Sequence, residues 1–79
     1  MDRTDVYKLI DAEREYQIGK WGKDIDTGAY DFMKYVAEYT KFGCAYAKMK
    51  NKDSTLECLR KISAICVAAM EKFETKPRQ

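Results

Sequence analysis

Residues 54–73 read STLECLRKISAICVAAMEKF. Leu56, Leu59, Ile62, Ser63, Cys66, Met70 and Phe73 recur at helical spacing and face one way. Ile65, Ala68 and Ala69 widen that band past half of the circumference. A helix apolar that far around must be covered by several neighbours. Ser54-Thr-Leu-Glu57 has the form of a capping box, so the spacing predicts a helix from Thr55 to about Phe73.

Working outward, Asn51-Lys52-Asp53 reads as a short turn. Before it, a second helix is expected from Ala29–Asp31, capped by Asp26 or Thr27, to about Lys50. Phe32, Tyr35, Val36, Tyr39, Phe42, Gly43, Tyr46 and Met49 make its apolar seam, and five of those eight are aromatic. Gly43 lowers helix propensity by about 1 kcal/mol relative to Ala, which implies a packing reason for it. A turn this short between two long helices predicts an antiparallel hairpin.

A shorter first helix is expected from Thr4 or Asp5 to about Ile18, with Thr4 as its N-cap. Val6, Leu9, Ile10, Glu13, Tyr16 and Gln17 share one of its faces. Gly19 or Gly22 would end it, and Lys23–Gly28 has the chemistry of a loop. The expected fold class is all-α. A short N-terminal helix crosses a long antiparallel hairpin in a single domain spanning residues 1–79, with 1–3 and 74–79 frayed.

A chain of 79 residues buries only about 60% of its unfolded surface, so its own core is marginal. The excess apolar surface of the third helix therefore predicts a homo-oligomer, a dimer or larger. There is no His, which excludes histidine acid–base catalysis and His-containing zinc sites. Cys44, Cys58 and Cys66 are odd in number and are spaced fourteen and eight apart, unlike C-x-x-C motifs. They read as three small buried thiols in a reducing cytosol.

The longest apolar run, Ala64–Met70, is too short to span a membrane. The charged N-terminus has no apolar stretch behind it, so a cytoplasmic location is expected. The net charge is only +2, without the basic face that nucleic-acid binding needs. The expected partners are a second copy of the chain and a small nucleotide, with no nucleic acid and no membrane.

The stretch that could carry binding is Glu13-Arg14-Glu15-Tyr16-Gln17-Ile18-Gly19-Lys20-Trp21-Gly22. Arg14, Lys20 and Lys23 place three cations near Trp21, and Tyr16 and Gln17 add hydrogen-bonding tips. An aromatic ring with cations around it suits a nucleotide, whose base stacks while its phosphates meet Arg and Lys. Trp21 equally suits a lid over the open end of the hairpin, and Tyr16 suits a core position. On the second helix, Tyr30, Tyr35, Tyr39 and Tyr46 form a tyrosine stripe of the kind found at interfaces. The hydroxyl of Tyr39 could converge with Arg60 or Lys61 from the third helix. The candidate ligand-binding set is Arg14, Tyr16, Gln17, Lys20, Trp21, Lys23, Tyr39 and Arg60. No catalytic residue, metal ligand or cofactor is expected.

Residues 13–22 resemble a Glu-Arg-x-Tyr-Gln-x-x-Lys-Trp-Gly element of small phage and prophage proteins, in which a helical hairpin follows. The last helix of those proteins resembles Leu59–Ala64 running into Val67–Glu71. The resemblance implies a viral origin and a bacterial cytosol. It also fits a small non-catalytic oligomer that sequesters a cyclic or ADP-ribose-type nucleotide and so counters host defence. Inhibition of a host protein is the alternative.

In outline the chain is also similar to all-α nucleotide pyrophosphohydrolases of the MazG type. That similarity implies Mg²⁺ held by Glu-x-x-Glu on one helix and Glu-x-x-Asp on the next, a hard oxygen shell. Here Asp31 and Glu38 lie seven apart, Lys41 follows Glu38 by three, and Arg60 follows Glu57 by three. Cations stand where ligands are needed, so hydrolysis is not expected.

Overall fold

The computed structural model describes residues 1–22 and 26–78. They form three helices and, among the described residues, no strand: α1 Arg3–Trp21, α2 Ala29–Lys48 and α3 Lys52–Phe73. The all-α class is as expected, and the boundaries differ in instructive ways.

Helix α1 starts before Thr4, because Asp2 supplies the cap: its Oδ1 accepts the Asp5 N–H at 3.0 Å. Gly19 lies inside the helix, and Gly22, at φ 76°, ends it in a backbone conformation that favours glycine. Trp21 is therefore the last helical residue. At nineteen residues α1 is close in length to the other two helices.

Helix α2 is capped by neither Asp26 nor Thr27. Gly28 is its N-cap, and the Asp31 carboxylate accepts the Gly28 N–H at 3.0 Å. It stops at Lys48, where the chain turns through Lys50 in the left-handed region.

Asn51, not Ser54, then caps α3. Asn51 Oδ1 accepts the Ser54 N–H at 3.1 Å, and Thr55 Oγ1 donates to the Asn51 carbonyl at 2.8 Å. Asn caps at least as well as Ser, and the tight turn delivers it three residues earlier. That leaves Glu57 in the helix body, where it pairs with Lys61 one turn on, at 3.2 Å.

Helix α3 is the hub. It packs against both α1 and α2, whose backbones do not approach each other among the described residues. Phe32, Ile65 and Ala68 form the buried cluster, with Val36, Tyr39 and Ala69 packed on it. The Phe32 ring meets Phe73 edge-on, with centroids 6.2 Å apart. Gly43 lies against Cys58, and a methyl group there would stand 3.3 Å from the Cys58 Cβ. That close approach is the packing reason for the glycine. The expectation of buried thiols is met at Cys58 and not at Cys44, which is exposed.

The joint between α1 and α3 is of another kind. The two buried residues of α1 are Glu13 and Gln17, both polar. Glu13 Oε1 accepts from Arg60 Nε at 2.8 Å, Gln17 Nε2 donates to the Lys61 carbonyl at 3.4 Å, and Arg14 Nε donates to Glu71 at 3.3 Å. Neighbouring residues of α1 thus reach points on α3 eleven positions apart, about 16 Å at 1.5 Å per residue, so α1 crosses α3 steeply. Val6, Leu9 and Tyr16, expected on the packed face, stay exposed.

Among the described residues, no large side chain is fully buried. The accessible surface is 6578 Å², against about 4,900 Å² for a compact monomer of 9.2 kDa. The radius of gyration is 13.3 Å, against about 11.6 Å for a compact chain of this length. The three helices leave much of their apolar surface uncovered.

Candidate functional site

Helices α1 and α2 flank α3 without meeting, so a cleft opens over the middle of α3. Gln17 and Trp21 form one wall, Phe32 and Tyr35 the other, and Ile65 and Ala68 the floor. Its volume is about 350 Å³, within the range of small-molecule pockets. Each wall follows from local structure. The steep crossing of α1 turns Gln17 inward, where it is 5% exposed, and leaves Trp21 at the rim, 57% exposed. On α2, Phe32 enters the core, and Tyr35, one turn on, overhangs the opening.

The candidate ligand residues divide into groups. Gln17 and Trp21 line the cleft. Lys20 lies over two aromatic rings, its Nζ 5.2 Å from the Trp21 ring centroid and 5.9 Å from that of Tyr16. Tyr16 itself is exposed, not a core residue. Arg14 and Arg60 are engaged in the joint between α1 and α3, on Glu71 and Glu13. Arg60 nonetheless keeps 42% of its side chain exposed. Tyr39 packs on the core with Lys61 Nζ 5.7 Å above its ring. Lys23 lies outside the described residues.

The Lys61 ammonium donates to the Glu57 carboxylate, and that hydrogen bond raises its pKa above the ordinary 10.5. Partial burial opposes this, and the charges of Glu57, Tyr39 and Glu13 add to it.

Sequence reasoning placed Phe32 and Tyr35 in the packing seam and did not foresee them as cleft walls. Their one-turn spacing carries that information only once α1 is known to stand apart from α2. The carboxylates Asp31, Glu38 and Glu57 do not fit a metal: Asp31 caps α2, and Glu57 is paired with Lys61. Among the described residues, no three Cys, Asp or Glu side chains gather where they could hold an ion. None of the described helices is long and apolar enough to cross a membrane.

Comparison of the chain with protein-family models, curated proteins and solved structures finds no match.

Proposed function

We propose that this chain is a non-catalytic, self-associating protein that binds and sequesters a nucleotide-type ligand in the cleft between α1 and α2. Its frame is an antiparallel α2/α3 hairpin crossed by α1, supported by the Phe32–Phe73 contact at one end and the Gly43–Cys58 contact at the other.

The observation that carries the reading is the cleft itself. Trp21, Phe32 and Tyr35 offer ring surface, Gln17 offers an amide at the inner wall, and Lys20 holds a positive charge at the rim. An aromatic base fits between such walls, and Lys20 meets its phosphates. The expected phosphate role of Arg14 and Arg60 recedes, since both hold α1 on α3. Sequestration of an immune signal in a phage-infected cell rests on the resemblance of residues 13–22 and of the last helix to phage proteins, together with the cluster of cations around Trp21.

The test is a titration of Trp21 fluorescence with linear, cyclic and ADP-ribose nucleotides, paired with chromatography of the nucleotide. The expected result is a saturable change with one nucleotide class, no turnover, and loss of the response in Tyr35→Ala. No response to any nucleotide refutes the ligand. Turnover refutes the non-catalytic reading.

The exposed stripe Tyr35, Phe42, Tyr46 and Met49 on α2 favours a second reading, capture of a host protein. Phe42→Glu would abolish that capture while leaving the nucleotide titration unchanged.

A further inference from the structure

Around α3, at 100° per residue, the surface divides into three sectors. Cys58, Ile65 and Ala69 point toward α2. Arg60 and Glu71, about 130° to one side of Ile65, hold α1. About 130° to the other side runs Leu56, Leu59, Ser63, Cys66, Met70, Phe73, a ridge with alternating spacings of three and four.

That ridge carries no charge, and only its C-terminal end, where Phe73 meets Phe32 edge-on, is shared with α2. Leu56, Leu59, Met70 and Phe73 are 45–53% exposed. Beside its middle, Tyr7, Ile10 and the acidic Asp11 of α1 wall a groove of about 570 Å³ with Ser63, Cys66 and Met70.

We infer that a second copy of the chain covers this ridge, α3 against α3 and antiparallel, about a twofold axis at the level between Ala64 and Ile65. Two observations choose that occupant. The first is area. The chain exposes about 1,700 Å² more than a compact monomer of its mass, and a standard interface takes about 800 Å² from each partner.

The second is the ridge's own symmetry. Leu56 with Phe73, Leu59 with Met70, and Ser63 with Cys66 all share one midpoint. Antiparallel pairing therefore sets large against large at both ends and small against small at the axis, which an isologous contact requires. The small pair lets the two backbones come close. The helix dipoles oppose each other favourably, and the partner's α3 lies in the groove walled by Tyr7 and Ile10.

The inference rests on the self-association in the reading above and is independent of the ligand, so a failed nucleotide titration leaves it untouched. Its test is the solution mass of the full chain and of three variants, with helicity by circular dichroism as the control for folding. Leu59 and Met70 are exposed in the single chain, so the variants do not disturb its own core.

The wild type is expected at twice 9.2 kDa or a multiple of it. Leu59→Glu and Met70→Lys are each expected to weaken the dimer on the order of a hundredfold or more. The double variant is expected to restore it, because antiparallel pairing sets each new Glu beside the partner's new Lys. A monomeric wild type overturns self-association and this inference together. A dimer that persists in both single variants overturns the seam while leaving self-association standing. Single variants that dissociate without rescue by the double overturn the antiparallel arrangement.

Discussion

Replacing Arg60 by Ala tests whether a polar joint holds α1 on the hub. Glu13 is 9% exposed, and its Oε1 accepts from Arg60 Nε at 2.8 Å. Loss of the guanidinium leaves a nearly buried carboxylate without its partner. A fully buried pair broken this way costs about 3–5 kcal/mol, while a surface pair is worth about 0–1 kcal/mol. The Arg60 side chain is 42% exposed, so solvent screens its half of the interaction. The expected loss lies between those limits, about 2 kcal/mol. A domain of 79 residues is stable by about 4–12 kcal/mol, so this is a large fraction of the total. With a urea slope of about 1 kcal/mol per molar, the unfolding midpoint falls by about 2 M. The assay is urea unfolding followed by circular dichroism at one fixed protein concentration, because self-association raises apparent stability. Hydrogen exchange supplies the local readout: α1 amides lose protection before those of α2 and α3. A loss below about 0.5 kcal/mol, with α1 protection unchanged, would refute the polar joint.

Three further outcomes are expected. Asn51→Ala should destabilise the chain by about 1 kcal/mol in thermal or urea unfolding, while Ser54→Ala should be nearly silent, since Asn51 supplies the cap of α3. Gly22→Ala should cost about 1–2 kcal/mol through its φ of 76° alone, because a Cβ there meets nothing within 4 Å. Lys61 has a raised pKa in the folded chain, so its contribution to stability is complete below 10.5 and is lost as pH rises through the folded value. Stability measured from pH 9 upward should therefore fall more steeply in the wild type than in Glu57→Gln, and parallel curves would remove the role given to that pair.

The helices were legible because their determinants are local. The apolar period of residues 54–73, the aromatic seam of α2 and the glycine at 43 each carry a structural instruction within a few residues. Caps were harder to read, because Asp2, Gly28 and Asn51 each stood close to another residue able to cap. The docking of α1 was not legible. Its apolar residues Val6, Leu9 and Tyr16 suggested a hydrophobic face, yet Glu13 and Gln17 are the ones buried. That choice depends on Arg60 and the Lys61 carbonyl, some 44–47 residues away in sequence. The candidate site inherits the same limit. Gln17 and Trp21 were named from the motif, but Phe32, Tyr35, Ile65 and Ala68 join them only because α1 and α2 stand apart.

The polar docking of α1 also bears on what the cleft can recognise. A hydrophobic α1 would settle against the aromatic flank of α2 and close the gap over Ile65. Glu13, Arg14 and Gln17 instead bind it to fixed polar points on α3, and a directional joint holds the helix where an apolar one would let it slide. The cations that do this work are thereby engaged elsewhere, which leaves, among the described candidate residues, Lys20 over the Trp21 ring and ring surface inside the cleft. Selectivity in such a cleft should follow the base more than the phosphate count. A nucleoside should therefore retain most of the affinity of its nucleotide, and Lys20→Ala should reduce nucleotide affinity about fivefold, of the order of one exposed charge contact, while leaving nucleoside affinity unchanged. If the nucleoside fails to bind where the nucleotide does, the phosphates and not the ring anchor the ligand, and the site must lie nearer to the exposed face of Arg60 than to Trp21.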